Sequence, residues 1–194
     1  MRKYCLTLKE RPDKESYVRS EFERVGIKNV EFVYGVKTPN GRDGCRMGHL
    51  SIMNRASKES MFAVFEDDAK FLYPISDIRK AMLELPDDWD GLWLGSTLTQ
   101  DLDRYSEHLY RLKKGWCTHA MIFNNQHGIA DYILNHADKA FKIDVFYADV
   151  IQEEFNCYIT YPMMVTQQEG YSDIIRKHQT YQVITDWYNK HTTL

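Results

Sequence analysis

No stretch of this 194-residue chain approaches the ~20 consecutive apolar residues that a membrane-spanning helix needs, so no transmembrane segment is expected. The opening residues, with Arg2, Lys3, Lys9 and Glu10 around a short apolar stretch, are too polar and too brief for a secretory signal. Cysteine is sparse. Cys5, Cys45, Cys117 and Cys157 lie far apart, with no C-x-x-C pair and no cysteine–histidine spacing of a zinc module. That excludes a disulfide scaffold and reads as reduced, mostly buried thiols of a cytoplasmic protein. Neither sign of charge dominates: 25 Lys and Arg face 28 Asp and Glu, a net charge of −3, and the basic residues are scattered. Such a chain has no field that would gather nucleic acid or an anionic membrane. There is no internal repeat, no low-complexity linker and no G-x-x-x-x-G-K-[ST] phosphate loop.

A hydrophobic fraction of 43% and a charged fraction of 27% describe an ordinary globular chain, long enough for one core. Aromatics are plentiful, with 13 Tyr, 9 Phe and 4 Trp, enough to fill a core and also to line a groove where sugar rings stack. The apolar run Tyr4–Leu8 predicts a strand, and Pro12 opens a helix with Val18, Phe22 and Val25 inward that Gly26 ends. Val30–Val36 alternates as a second strand, and 38–44 has loop chemistry before a helix carrying Met47, Leu50, Met53 and Ala56 inward. Met61–Phe65 is a continuous apolar run of the kind covered on both faces of a sheet. Further on, the pattern predicts a helix over 75–85, strands over 91–95, 109–112, 116–123 and 157–161, and a polar loop over 96–108. Asn124 is the expected cap of a helix with Ile129, Ile133 and Leu134; another helix covers 147–155, and the last twenty residues read as helical with Ile174, Tyr181, Ile184 and Tyr188 on an apolar face that Trp187 widens. Strands alternating with helices imply a mainly parallel sheet, with ligands bound at the carboxyl ends of its strands.

One such strand runs straight into Glu66-Asp67-Asp68. Adjacent carboxylates raise each other's pKa and destabilise a site unless a cation holds them. Carboxylates at i and i+2 of an extended segment point the same way, so Glu66 and Asp68 are expected to face one ligand while Asp67 turns aside. Hard oxygen donors suit Mg²⁺ or Mn²⁺, which in turn suits a diphosphate. The alternative is a solvated acidic turn. Gly44–Leu50 sets glycines, Arg46 and His49 at a helix start, where free N–H groups favour an anion. Arg11, in the loop after the first strand, offers a contact to a base or phosphate. Asp144 and Asp149 are each either a helix cap or a catalytic base. The polar segment 167–173 follows a strand and is placed to close over a ligand, with His178 a weaker metal candidate.

Taken in order, Leu6-Thr7-Leu8-Lys9-Glu10-Arg11-Pro12-Asp13, Gly44-Cys45-Arg46-Met47-Gly48-His49-Leu50, Phe65-Glu66-Asp67-Asp68-Ala69, Trp89–Gly95 and the tail Pro162–Gln167 with Ser172-Asp173-Ile174 resemble the family 25 glycosyltransferases, which include lipooligosaccharide and collagen galactosyltransferases. Gly48 stands where that family usually has serine, and the Arg11 loop lacks its second arginine. The resemblance implies an α/β, GT-A (Rossmann-like) fold in a single domain over 1–194. Residues 1–95 would form its nucleotide-sugar half, 96–175 its acceptor half and 176–194 a C-terminal helix. It implies a metal-dependent, inverting hexosyltransferase that uses Mn²⁺ or Mg²⁺ and a UDP-sugar, galactose or glucose, and acts on a glycan or glycoprotein hydroxyl, as in lipopolysaccharide biosynthesis. Asp68 and Glu66 would be metal ligands. Leu8, Arg11, Arg46, His49, Glu66 and Asp67 would line the donor site, and Asp149, in preference to Asp144, would be the base. Trp93, Trp116 and Tyr147 would then shape the acceptor groove. A metal-dependent nucleotidyltransferase and a non-catalytic glycan-binding or scaffold domain of the same fold remain alternatives.

Overall fold

The computed structural model describes residues 1–172, 174 and 176–192. Asp173, part of the family-like tail, lies outside the described residues, as do Ile175, Thr193 and Leu194.

The first half alternates as expected: β1 (Arg2–Leu8), α1 (Pro12–Val25), β2 (Val30–Gly35), α2 (Gly41–Ala56) and β3 (Met61–Glu66). A short β4 (Ala69–Phe71) and α3 (Ile75–Leu83) lead to β5 (Gly91–Trp93), β6 (Thr97–Leu98), β7 (Leu109–Arg111), β8 (Gly115–Trp116) and β9 (Ala120–Asn124). Then come α4 (Ile129–His136) and a continuous helical stretch made of α5 (Ile143–Phe146), a wider π turn (Tyr147–Ile151) and α6 (Gln152–Glu154). The chain finishes with β10 (Cys157–Thr160), β11 (Val165–Gln167), the β12 (Gly170–Ser172) and β13 (Lys177–Gln179) hairpin, and α7 (Gln182–Thr192). No described helix is long and apolar enough to cross a membrane.

The central sheet has the order β2-β1-β3-β9-β5-β10-β7. β1 pairs in parallel with both β2 and β3, and β5 with β10, while β9 and β7 run antiparallel to their neighbours. The sheet is therefore mixed and mainly parallel, as the sequence pattern predicts. Its two faces carry two cores. Tyr4, Phe62 and Val64 pack with Ile52, Met53 and Ala56 of α2 on one face; Cys5, Ala63 and Phe65 pack with Val18, Phe22 and Val25 of α1 on the other. The alternation of side chains along a strand explains why both faces are apolar in so short a run. Since β1 is flanked by β2 and β3, the chain turns outward from β1 in both directions, and that reversal opens a crevice at the strands' carboxyl ends.

Several local expectations change. The expected loop 38–44 is shorter, because Asn40 caps α2 by accepting from the Arg42 N–H at 3.3 Å. The buried face of α2 is Gly44, Gly48, His49, Ile52, Met53 and Ala56, leaving Met47 exposed and Leu50 only half-buried. Gly48 favours this rotation: a Cβ there would stand 2.5 Å from Leu6 Cδ1, so any larger residue would have to displace the Leu6 side chain for the helix to lie this close to β1. The single strand expected over 116–123 breaks at Cys117, whose φ of 84° is incompatible with extended backbone. Asn124 ends β9 rather than capping α4; Gly128 takes the cap position and the Asn125 side chain accepts from Ala130 N. The C-terminal helix is shorter than expected because Lys177–Gln179 pairs with β12, and Trp187 stays on its exposed side beside Lys190.

The acidic turn joins two sheets. β4 leaves the main sheet at Asp68 and pairs antiparallel with β11, with Ala69 opposite Gln167. It is clamped to α1 through Glu21, which accepts from Phe71 N at 2.9 Å, and through Arg24, which donates to Phe71 O at 2.8 Å. Phe22 adds edge-on ring contacts to Phe65 at 5.3 Å and Phe71 at 6.1 Å.

Candidate functional site

A cavity of about 680 Å³ opens at the carboxyl ends of β1, β2 and β3, within the size range of small-molecule sites. Its floor is the acidic turn. Its walls are the end of β1, the β2–α2 loop, the start of α5 and the β12–β13 hairpin, which Arg176 ties across to Pro39 O at 2.6 Å.

The three carboxylates differ in their partners. Glu66 Oε1 takes hydrogen bonds from His49 Nε2 at 3.0 Å and from the Thr118 hydroxyl at 2.5 Å. Burial pushes the Glu66 carboxyl up, but His49 and Thr118 outweigh it and hold it below its ordinary value. Asp67 accepts from the Thr7 hydroxyl at 2.8 Å and lies 3.7 Å from Lys14 Nζ; burial, with Lys14 opposing and Asp68 adding, pushes it up to about 7. Asp68 Oδ2 accepts from Gln167 Nε2 at 3.1 Å, and burial followed by the Glu66 charge raises it to about 6. Its other oxygen, Oδ1, is buried with no hydrogen-bond partner among the described residues. A buried, unpaired carboxylate oxygen is costly, and a cation is the group that would satisfy it.

The rim has the opposite sign. Lys14, Lys37, Arg42, Lys142 and Arg176 all line the cavity. Among the described residues, Lys37 and Lys142 make no ion pair. An acidic floor under a basic rim suits a ligand that is itself anionic and reaches the floor through a cation.

The structure distributes the expected site residues unevenly. Leu8, Glu66, Asp67, Asp68 and Asp144 line the cavity. His49 is wholly buried and acts on the cavity through Glu66. Arg46 faces Ala140 O and Asp43 rather than the cavity. Arg11 lines a second cavity of about 340 Å³, which shares Lys14, Asp68, Tyr171 and Tyr181 with the first and also holds His178. Asp149 sits on the surface, 3.0 Å from Lys114 Nζ. Trp93 and Tyr147 are core residues at 0% exposure and do not shape a groove; only Trp116 of that trio is exposed. Thr118 and the basic rim carry no local sequence signal, whereas Gln167 opens the polar segment expected to close over a ligand and Thr7 lies in the first family-like segment. Thr118 reaches Glu66 only because β9 runs antiparallel to β3, with Ala120 opposite Phe65 and Glu66 N bonded to His119 O.

The fold is similar to that of the STIV protein A197. The two share 10% identity over 92% of this chain and 93% of that one, with a TM-score of 0.55, so the likeness is one of fold. More distant neighbours are the mannose-1-phosphate geranyltransferase of Thermus thermophilus, with 10% identity, 81% and 58% coverage and a TM-score of 0.41, and a Drosophila beta-1,4-galactosyltransferase 7 variant in complex with manganese, UDP-Gal and xylobiose, with 11% identity, 93% and 75% coverage and a TM-score of 0.45. No family model matches the chain, and neither does any of the curated proteins searched.

Proposed function

We propose that this chain is a metal-dependent, inverting glycosyltransferase of the GT-A, family 25 kind, which moves a hexose from a UDP-sugar to a glycan or glycoprotein hydroxyl. The observation that carries the reading is Asp68 Oδ1, buried and unpartnered on an acidic floor beneath a basic rim. Asp68 and Glu66 are the residues to hold Mn²⁺ or Mg²⁺, whose oxygen preference they match. When bound, the ion neutralises the donor diphosphate as a leaving group.

The chain's own groups do the rest. Lys37, Lys142 and Arg42 bind the diphosphate charge from the rim, preorganised where negative charge grows as the sugar departs. His49 and Thr118 fix the Glu66 carboxylate in one orientation, and Thr7 with Lys14 draws Asp67 aside. Asp144 takes the proton of the acceptor hydroxyl. It is preferred to Asp149 because it lies on the cavity wall, and one of its oxygens is held by the Val145 N–H at 2.9 Å.

The test is incubation with a panel of nucleotide sugars and Mn²⁺, following nucleoside diphosphate release, alongside direct binding of UDP to wild type and Asp68→Ala. Release that requires metal, and metal-supported binding that Asp68→Ala abolishes, support the transferase. Metal-supported binding that Asp68→Ala leaves unaltered would overturn it. Consumption of a nucleoside triphosphate would favour nucleotidyl transfer, and glycan binding without turnover a non-catalytic domain.

A further inference from the structure

Three donor atoms of differing softness meet beside the acidic floor. The Cys45 Sγ, a ring nitrogen of His49 and a carboxylate oxygen of Glu66 all lie within 4.8 Å of one another. Two elements bring them together. Cys45 and His49 are one turn apart on α2, at i and i+4, and so share a helix face; Glu66 ends β3 opposite that face. The glycines on either side of Cys45 allow the approach: a Cβ at Gly44 would meet Val36 O at 2.6 Å, and one at Gly48 would meet Leu6.

The histidine is held as a ligand would be. Its Nε2 faces Glu66 and its Nδ1 lies 3.4 Å from the Tyr147 hydroxyl. A ligating imidazole commonly has its second nitrogen hydrogen-bonded, which fixes tautomer and ring orientation. Cys45 and Glu66 both line the cavity, which gives an ion access from solvent and leaves room for an exchangeable ligand on that side. Asp68, whose Oδ1 is buried with no hydrogen-bond partner among the described residues, lines the same cavity and adds negative charge to its floor.

We propose that Cys45, His49 and Glu66 form a binding site for a thiophilic divalent cation, of which Zn²⁺ is the natural occupant. Sulfur and imidazole donors select Zn²⁺ over Mg²⁺ and Mn²⁺, which prefer all-oxygen shells. Three protein ligands with one side open is the arrangement of an accessible zinc site rather than a closed structural one. Zn–S and Zn–N distances of about 2.3 and 2.0 Å require the donors to draw together by roughly an ångström. On binding, the thiol gives its proton to solvent, and the ion replaces the His49–Glu66 hydrogen bond. The site shares Glu66 with the oxygen-ligated metal site of the transferase reading, so the two ions compete for that carboxylate, but the sulfur and imidazole donors belong to this site alone.

The full metal-free chain is titrated with Zn²⁺ by calorimetry and with Co²⁺ by absorption. One equivalent of Zn²⁺ is expected, together with a thiolate-to-cobalt charge-transfer band in the near ultraviolet. Cys45→Ser removes the band and weakens Zn²⁺ binding at least about tenfold, since loss of supporting groups alone costs 10–100-fold at such sites. His49→Gln weakens Zn²⁺ binding as well. The band reports sulfur alone, so binding at the acidic floor, or at the separate cluster of Glu84, Glu107 and His108, does not imitate it. Absence of the band in the wild type overturns the proposal without recourse to any variant. So does a band that survives in Cys45→Ser, which would place the thiolate at Cys5, Cys117 or Cys157, or Zn²⁺ affinity unchanged by that substitution in a variant whose circular dichroism shows it folded.

Discussion

Asp144 and Asp149 are five positions apart yet face different surroundings, one on the cavity wall and the other against Lys114 on the outer surface. Under the transferase reading, Asp144→Asn lowers turnover by about 10²-fold or more, the usual contribution of a positioned base, with donor binding retained. Asp149→Asn opens only the Lys114 pair and leaves turnover near wild type; steady-state kinetics on both variants separates the two aspartates. Gly95 is a different kind of residue. A Cβ there would stand 1.9 Å from Val165 O, a backbone atom that cannot swing away. Gly95→Ala is expected to cost about 3 kcal/mol by overpacking, read as a lower urea midpoint with unchanged slope. Because β11 carries Gln167 to Asp68, the same change should also loosen the floor. At this scale the sequence was informative about acids and uninformative about their partners. Glu66, Asp67 and Asp68 are visible as three carboxylates after an apolar strand. Thr118, by contrast, is brought to Glu66 by an antiparallel neighbour 52 positions away, which no local pattern encodes.

At the level of elements, the first half was legible because each strand and helix has its own period and punctuation. Val18, Phe22 and Val25 mark α1, and Gly26, with φ of 77°, stops it. Where reading failed, contacts overrode pattern: α2 is rotated so that glycines rather than Met47 meet the sheet, and Cys117 breaks a strand that composition would have carried on. The clamp of α1 on β4 gives a testable element-level property. Burial raises the Glu21 carboxyl, but the Arg24 hydrogen bond and the Phe71 N–H outweigh it, so its folded pKa lies below its unfolded one. Such a group stabilises fully above the unfolded carboxylate range, and the stabilisation is lost as pH falls through the folded value. Acid unfolding of Glu21→Gln should therefore show a shallower acid limb than wild type, with the two proteins differing most at neutral pH. A parallel acid limb in the variant would mean that the clamp contributes nothing.

For the molecule as a whole, the arrangement of charge matters more than its sum. A net charge of −3 says nothing of a cavity whose floor is acidic and whose rim is basic, because that separation exists only once β1, β2, β3 and the β12–β13 hairpin meet. Under the transferase reading, UDP with Mn²⁺ at 100 times its dissociation constant should raise stability by about 2.7 kcal/mol through binding to the folded state alone. Thermal unfolding should show a large shift with both components and a small one with either by itself. Equal shifts for UDP with and without metal would mean that the rim binds the phosphates and the floor takes no part.

Gly48 and Leu6 separate shape from chemistry. Leu6 lines the cavity, and it can lie back only because the helix behind it lacks a single carbon. A serine at that position, as the resembling family usually has, would push the Leu6 methyls forward into the cavity. The depth of the cavity can thus be altered from behind, by a residue that touches no ligand, while every polar group on the floor and rim keeps its place. Selectivity for ligand size is then free to drift independently of the machinery that handles charge.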